Sequence, residues 1–131
     1  MKCSIFFLLA IIALGVGCKK GDNRPANTFV GKWKLTAQKI SAGGPAYWVA
    51  VSNNENNYVQ FNNNGTFKSD AFLLYKYSKY TVKDSATVTM SKNDTIQNFS
   101  YQFKKQDTLL MSPAGPIFCF EGCTFKFVRQ K

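Results

Sequence analysis

The chain has no histidine, seven acidic residues against seventeen Lys and Arg, and no stretch with a sustained helical repeat. Each shortage excludes something. Without histidine the commonest general base is missing, and no Ser or Cys has an evident partner to activate it, so catalysis is not expected. Cys119 and Cys123, with no histidine anywhere, cannot complete a zinc site, so neither a metal nor another cofactor is expected. The shortage of acids leaves a formal net charge of +10, a balance that favours anionic partners. The basic residues are nevertheless scattered singly, apart from Lys19–Lys20 and Lys104–Lys105. A nucleic-acid binder gathers them on one face, so nucleic acid is not an expected partner. Single lysines on the outer face of a sheet guard it against edge-to-edge aggregation.

Long apolar runs are absent except at the start, where residues 5–14 form one behind Lys2. That is the length of an export signal, and well short of the roughly 20 residues that span a bilayer. Gly15, Val16, Gly17 and Cys18 follow, then a polar run from Lys19. Small residues ending in a cysteine directly after an apolar core resemble the lipobox of bacterial lipoproteins, although Gly15 stands where that family carries Leu or Val. The resemblance implies cleavage before Cys18 and acylation of Cys18 by fatty chains such as palmitate. At about 0.8 kcal/mol per buried methylene, several chains on one residue hold essentially permanently. The expected division is a signal peptide at 1–17, a lipidated tether at 18–28 and a folded domain at 29–131. The expected location is outside the cytoplasm, anchored to a cell-envelope membrane and facing the periplasm or the cell surface.

The domain reads as β-structure. In residues 29–37, Phe29, Gly31, Trp33, Leu35 and Ala37 share one face while Lys32, Lys34 and Thr36 share the other, the period-two pattern of a half-buried strand. Asn64-Gly65, between the runs 58–61 and 66–69, is a strong hairpin signal because both residues tolerate positive φ. Val59, Phe61 and Phe67 are the expected inward residues there. Further alternating runs cover 79–83, 86–90, 95–103, 108–111 and 117–129. Residues 72–77 do not alternate, which leaves a bulged strand or a loop with aromatic cover. Eight or nine strands joined in sequence suit a small up-and-down antiparallel barrel, all-β, which closes on itself and removes its edges; an antiparallel sandwich is the other possibility.

Phe120, Glu121 and Gly122 separate Cys119 from Cys123. A three-residue hairpin loop ending in glycine would set the cysteines opposite each other on neighbouring strands, close enough for a disulfide. Asp84-Ser85-Ala86, Asp94-Thr95-Ile96 and Asp107-Thr108-Leu109 resemble the Asp-Ser/Thr-aliphatic sequon of a general O-glycosylation system in some Gram-negative bacteria. That resemblance marks Ser85, Thr95 and Thr108 as candidate glycosylation sites, although an acid ahead of a β-branched strand opener is also ordinary turn chemistry.

The Gly31-x-Trp33 triplet near the start of an all-β chain, with Arg129 near its end, resembles the lipocalin-like barrels. In that family a late basic residue packs across the first-strand tryptophan, which implies that the strands carrying Trp33 and Arg129 meet. The family also implies a first connection folded over the barrel mouth, with Tyr47 and Trp48 as its apolar contacts. An eight-stranded barrel either holds one small ligand or fills with side chains. Two functions follow from the resemblance. The first is a membrane-anchored lipoprotein binding a small hydrophobic ligand through Trp48, Phe61, Phe67, Tyr80, Phe99 and Tyr101. The second is a filled barrel whose loops engage an envelope protein, as an interaction or protease-inhibitor module. A packed interior with an exposed apolar loop favours the second; a connected apolar cavity favours the first.

Overall fold

The computed structural model describes residues 28–52, 57–71, 74–120 and 122–131. Residues 1–17 and Cys18, where the signal and the lipid site are expected, lie outside them. Nine strands run in chain order: β1 (Gly31–Ile40), β2 (Tyr47–Ala50), β3 (Tyr58–Phe61), β4 (Phe67–Ser69), β5 (Lys79–Val82), β6 (Thr87–Lys92), β7 (Thr95–Lys104), β8 (Thr108–Pro113) and β9 (Thr124–Arg129). All pairings are antiparallel, in the order β4-β3-β1-β9-β8-β7-β6-β5. A bridge between Thr66 and Lys79 joins the two ends of that series. Hydrogen bonds from the Phe67 amide to the Ser78 carbonyl and from the Tyr80 amide to the Gly65 carbonyl flank the bridge. The molecule is therefore an all-β, nearly closed up-and-down barrel of eight strand positions.

Nine strands fill eight positions because β2 and β3 share one. Both lie antiparallel to β1 along the same edge, β2 against residues 37–40 and β3 against residues 31–34. Residues 47–50 were expected to fold over the mouth; instead they extend the sheet. Ala37↔Ala50 and Gln38↔Val49 fix that register, and the Val51 amide donates to the Thr36 carbonyl beside it.

The inward faces match the period-two reading along most strands. Val59 and Phe61, Val88 and Met90, Leu109 and Met111, and Phe125 and Phe127 are all buried. One departure matters for the surface. Pairing of β1 with β9 slips between Leu35 and Ala37, and the Thr36 hydroxyl donates to the Lys126 carbonyl at the slip. A bulge inserts one residue and so reverses the facing of everything beyond it. Ala37, expected on the inner face with Leu35, thus faces out opposite Lys126.

Of the run 72–77, the described residues 74–77 resolve toward the loop alternative. The Leu74 and Tyr75 amides both donate to the Ala71 carbonyl, forming a tight turn, with residues 72 and 73 outside the described set. Ala71, Leu74 and Tyr77 are buried and cover one end of the barrel.

Candidate functional site

Two ends of the barrel and one stretch of outer wall carry the residues singled out by sequence. The first end holds the turns at 62–66, 83–86 and 105–107 together with residues 28–30. Gly31 adopts φ +130°, a conformation side chains with a Cβ rarely reach, and the chain turns there from β1 across the barrel. Phe29 lands in the opening, 4.7 Å from the Tyr101 ring, 5.1 Å from Phe61 and 5.2 Å from Phe103, centroid to centroid. The buried Trp33 indole Nε1 donates to the Phe29 carbonyl at 2.7 Å. Arg129 sits opposite Trp33 in the β1–β9 register, with its guanidinium carbon 4.1 Å from the centre of the indole ring. Its Nη1 donates to the Val30 carbonyl at 2.8 Å and its Nη2 to the Thr28 carbonyl at 2.6 Å. Gly31, Trp33 and Arg129 thus form one latch that holds Phe29 as a plug.

That plug decides what the aromatic residues can do. Phe61 contacts Phe67 and Tyr80, Phe29 contacts Tyr80 and Tyr101, and Tyr77 contacts Phe99. Five of the six rings expected to touch a ligand are packed against other rings of the protein. A void able to admit water leaves accessible surface on its walls, yet Trp33, Phe61, Val88, Met90, Leu109 and Phe127 have 0% exposure. Among the described residues, these inward side chains form one packed cluster from the plug to the opposite end. Trp48 stands apart from the other five, on the outer wall in β2 and 45% exposed.

Tyr80 and Tyr101 reach the edge of the plug, where their hydroxyls donate to the Asn62 and Asp84 carbonyls. Burial raises the pKa of Tyr80; burial, then the negative charge of Asp84, raises that of Tyr101. Ionisation is thus harder in the folded state than in the unfolded chain, where tyrosine titrates near about 10. This contribution is complete below that value and is lost as pH rises through the folded pKa. We expect the melting temperature to fall as pH rises above about 10, and the fall to be smaller in Tyr80→Phe, as read by circular dichroism.

The second end carries the loop between β8 and β9. Cys119 and Cys123 form a disulfide with Cα atoms 5.7 Å apart. They were expected to oppose each other on paired strands, and they do not. Strand pairing of β8 with β9 stops at Met111↔Phe125, and the tight return is made earlier, by a bridge between Ala114 and Phe118. The disulfide therefore ties off the rest of the loop, of which Glu121 lies outside the described residues. Ile117, Phe118 and Phe120 stand in solvent at 61%, 59% and 95% exposure.

Gln97, which sequence reading passed over, braces this loop. Among the described residues it is the one buried polar side chain. Its Nε2 donates to the Ile117 carbonyl at 2.8 Å, and its Oε1 accepts from the Ile117 amide at 3.1 Å. The Asn98 amide donates to the Gly115 carbonyl, and the Ala114 amide to the Asn98 carbonyl. Gly115 has φ +110°, and a Cβ there would lie 2.8 Å from the Phe118 ring, so only glycine fits beneath that ring. The signal for Gln97 was present: it shares its strand face with Phe99, Tyr101 and Phe103, where an amide needs a partner.

The candidate glycosylation residues divide between the ends. Ser85 and Thr95 are exposed, beside the plug and at the disulfide-loop end respectively, and Thr108 is half-buried near the plug. Asp84 accepts from the Ala86 amide, which holds its carboxyl below the usual range. Asp107 accepts from the Thr108 hydroxyl at 3.1 Å. Both acids make the local turn bonds expected of aspartate at such positions. Among the described residues no three of His, Cys, Asp and Glu gather as a metal would require, and no helix is long and apolar enough to cross a membrane. The chain matches no protein-family model, no curated protein and no solved structure.

Proposed function

We propose that this is a lipid-anchored envelope protein whose filled, lipocalin-like barrel acts through its surface, holding the loop at 114–123 out to a protein partner. The observation that carries the reading is the pairing of a packed interior with an exposed, braced apolar loop. Ile117, Phe118 and Phe120 are the kind of large apolar side chains that anchor interfaces when they enter a partner's pocket. The disulfide and the Gln97 bonds hold their backbone in place beforehand, which lowers the entropy lost on binding.

The position of the tether fits the same reading. Residue 28 leaves the barrel at the plugged end, and the loop lies at the other end. With β7 ten residues long, that separation is roughly 25 Å, given strand rise and barrel tilt. A lipid on Cys18 would place the loop on the side away from the membrane. The excess of lysine and arginine favours a partner whose apolar pocket is rimmed by acids.

Two experiments test this. Metabolic labelling with an alkyne-bearing palmitate analogue is expected to mark the protein and to fail for Cys18→Ala; equal labelling of both would remove the anchor. A photo-crosslinking amino acid at position 120, in the native envelope, is expected to give one discrete protein adduct. The same residue at position 68 is expected to give none, and Gln97→Ala to weaken the adduct several-fold. Adducts from position 120 that are diffuse, or confined to lipid, would overturn the reading.

A further inference from the structure

A hollow of about 610 Å³ lies on the outer wall beside the turn at 105–107, and none of its lining residues belongs to the plug or the disulfide loop. Its floor is Ala37 and Leu110 and the stem of Lys126; Trp48 forms one side and the turn carrying Lys104, Lys105 and Asp107 the other. The bulge in β1 creates it, because the bulge is what turns the small Ala37 side chain outward between Lys126 and Ala50. Among the described residues, none of the three lysine side chains that line it makes an ion pair or a hydrogen bond. Three unpartnered cations beside a half-exposed indole are a binding arrangement that neither the plug nor the loop uses.

We infer that this groove binds an acidic oligosaccharide, a chain of sugar rings carrying carboxylate or sulfate groups. Each part of the lining matches one part of such a ligand. The flat face of Trp48 offers apolar area to the C–H face of a sugar ring. The lysines meet the anionic substituents, and as mobile point charges they tolerate variation in where those substituents sit. The Asp107 carboxylate and the Thr108 hydroxyl that donates to it at 3.1 Å keep lone pairs that can accept from the hydroxyl groups of a sugar. The hollow is open along its length, as a chain of rings requires, and is not an enclosed chamber for one small molecule. This site stands independently of the loop and its protein partner.

Calorimetric titration of the full chain tests it, with hexagalacturonate as the carboxylated probe and a heparin-derived hexasaccharide as the sulfated one. Fully methyl-esterified hexagalacturonate keeps the rings and removes the charge, and inorganic phosphate supplies charge without rings. At least one acidic hexamer is expected to bind tenfold or more tightly than the esterified form and than phosphate. Which hexamer binds identifies the anionic group. Trp48→Ala is expected to weaken that binding about tenfold, and Lys126→Gln several-fold with a shallower salt dependence. Ala37→Leu, which fills the floor and removes no polar contact, is expected to block it while the melting temperature stays within a few degrees. The proposal is overturned if neither acidic hexamer binds, if the esterified form binds equally well, or if Trp48→Ala and Ala37→Leu leave the affinity unchanged.

Discussion

Replacing Arg129 with alanine is expected to lower the melting temperature by roughly 12–40 °C and to move Trp33 emission to longer wavelength. Three interactions disappear together: the stack on Trp33 and the hydrogen bonds to the Thr28 and Val30 carbonyls. Hydrogen bonds to a charged group contribute about 1.5–3 kcal/mol each, and a desolvated cation–π contact about 2 kcal/mol. Because they share one side chain they do not add fully, and about 3–5 kcal/mol is the expected total. For a domain near 100 residues, each kcal/mol is worth about 4–8 °C. Arg129→Lys keeps the charge but loses the planar fork that reaches two carbonyls at once, so it is expected to fall between the two. The emission is best read with Trp48→Phe as background, since Trp48 is exposed and would mask the change. If Arg129→Ala melts like the parent with unchanged emission, β1 and β9 do not depend on this latch.

Replacing Phe29 with alanine is expected to cost about 3–5 kcal/mol, the usual range for deleting a buried aromatic ring. Unlike the arginine change, it should also alter what the interior can hold. Phe29 is 4% exposed and surrounded by Phe61, Tyr80, Tyr101 and Phe103. Removing its ring leaves an apolar space at the plugged end, bordered by aromatic side chains that cannot collapse far. Apolar cavities of that kind stay dry and accept small apolar guests. We therefore expect Phe29→Ala to take up benzene and to be stabilised by it in thermal melts, with no such effect in the parent. Equal stabilisation of both would mean the parent already has a cavity, and no stabilisation of either would mean the plug region collapses.

Much of the barrel was legible because period-two alternation is a direct consequence of strand geometry. Val59, Phe61 and Phe67 could be assigned to the interior one by one, and all three are buried. The resemblance of Gly31-x-Trp33 and Arg129 to lipocalin-like chains pointed at the meeting of β1 and β9, which the register Trp33↔Arg129 displays. It did not disclose why glycine and tryptophan stand two apart. The reason is local: glycine turns the chain at φ +130° so that the indole nitrogen can reach the carbonyl of the plug residue.

What was illegible has identifiable causes. A bulge depends on pairing between distant strands, so nothing near Thr36 announced that Ala37 would face outward. Residues 47–50 are short and apolar, and such a segment serves equally as a lid or as an added strand; only the register with β1 decides. Ala71, Leu74 and Tyr77 recur every three residues, the spacing of a single tight turn, over too short a stretch to register as a period. The cysteine spacing pointed to the correct pair and to the wrong geometry, because the return of the chain was already made at Gly115.

The account rests on a barrel whose interior is full, so that its work is done on the outside. A crystal pressurised with xenon tests that most directly, because xenon occupies apolar cavities without needing a polar partner. The parent protein is predicted to show no xenon inside the barrel, and Phe29→Ala to show it against Phe61, Tyr101 and Phe103. A xenon atom within the parent barrel, enclosed by Trp33, Phe61 and Leu109, would contradict the account and return the interior to the role of a ligand chamber.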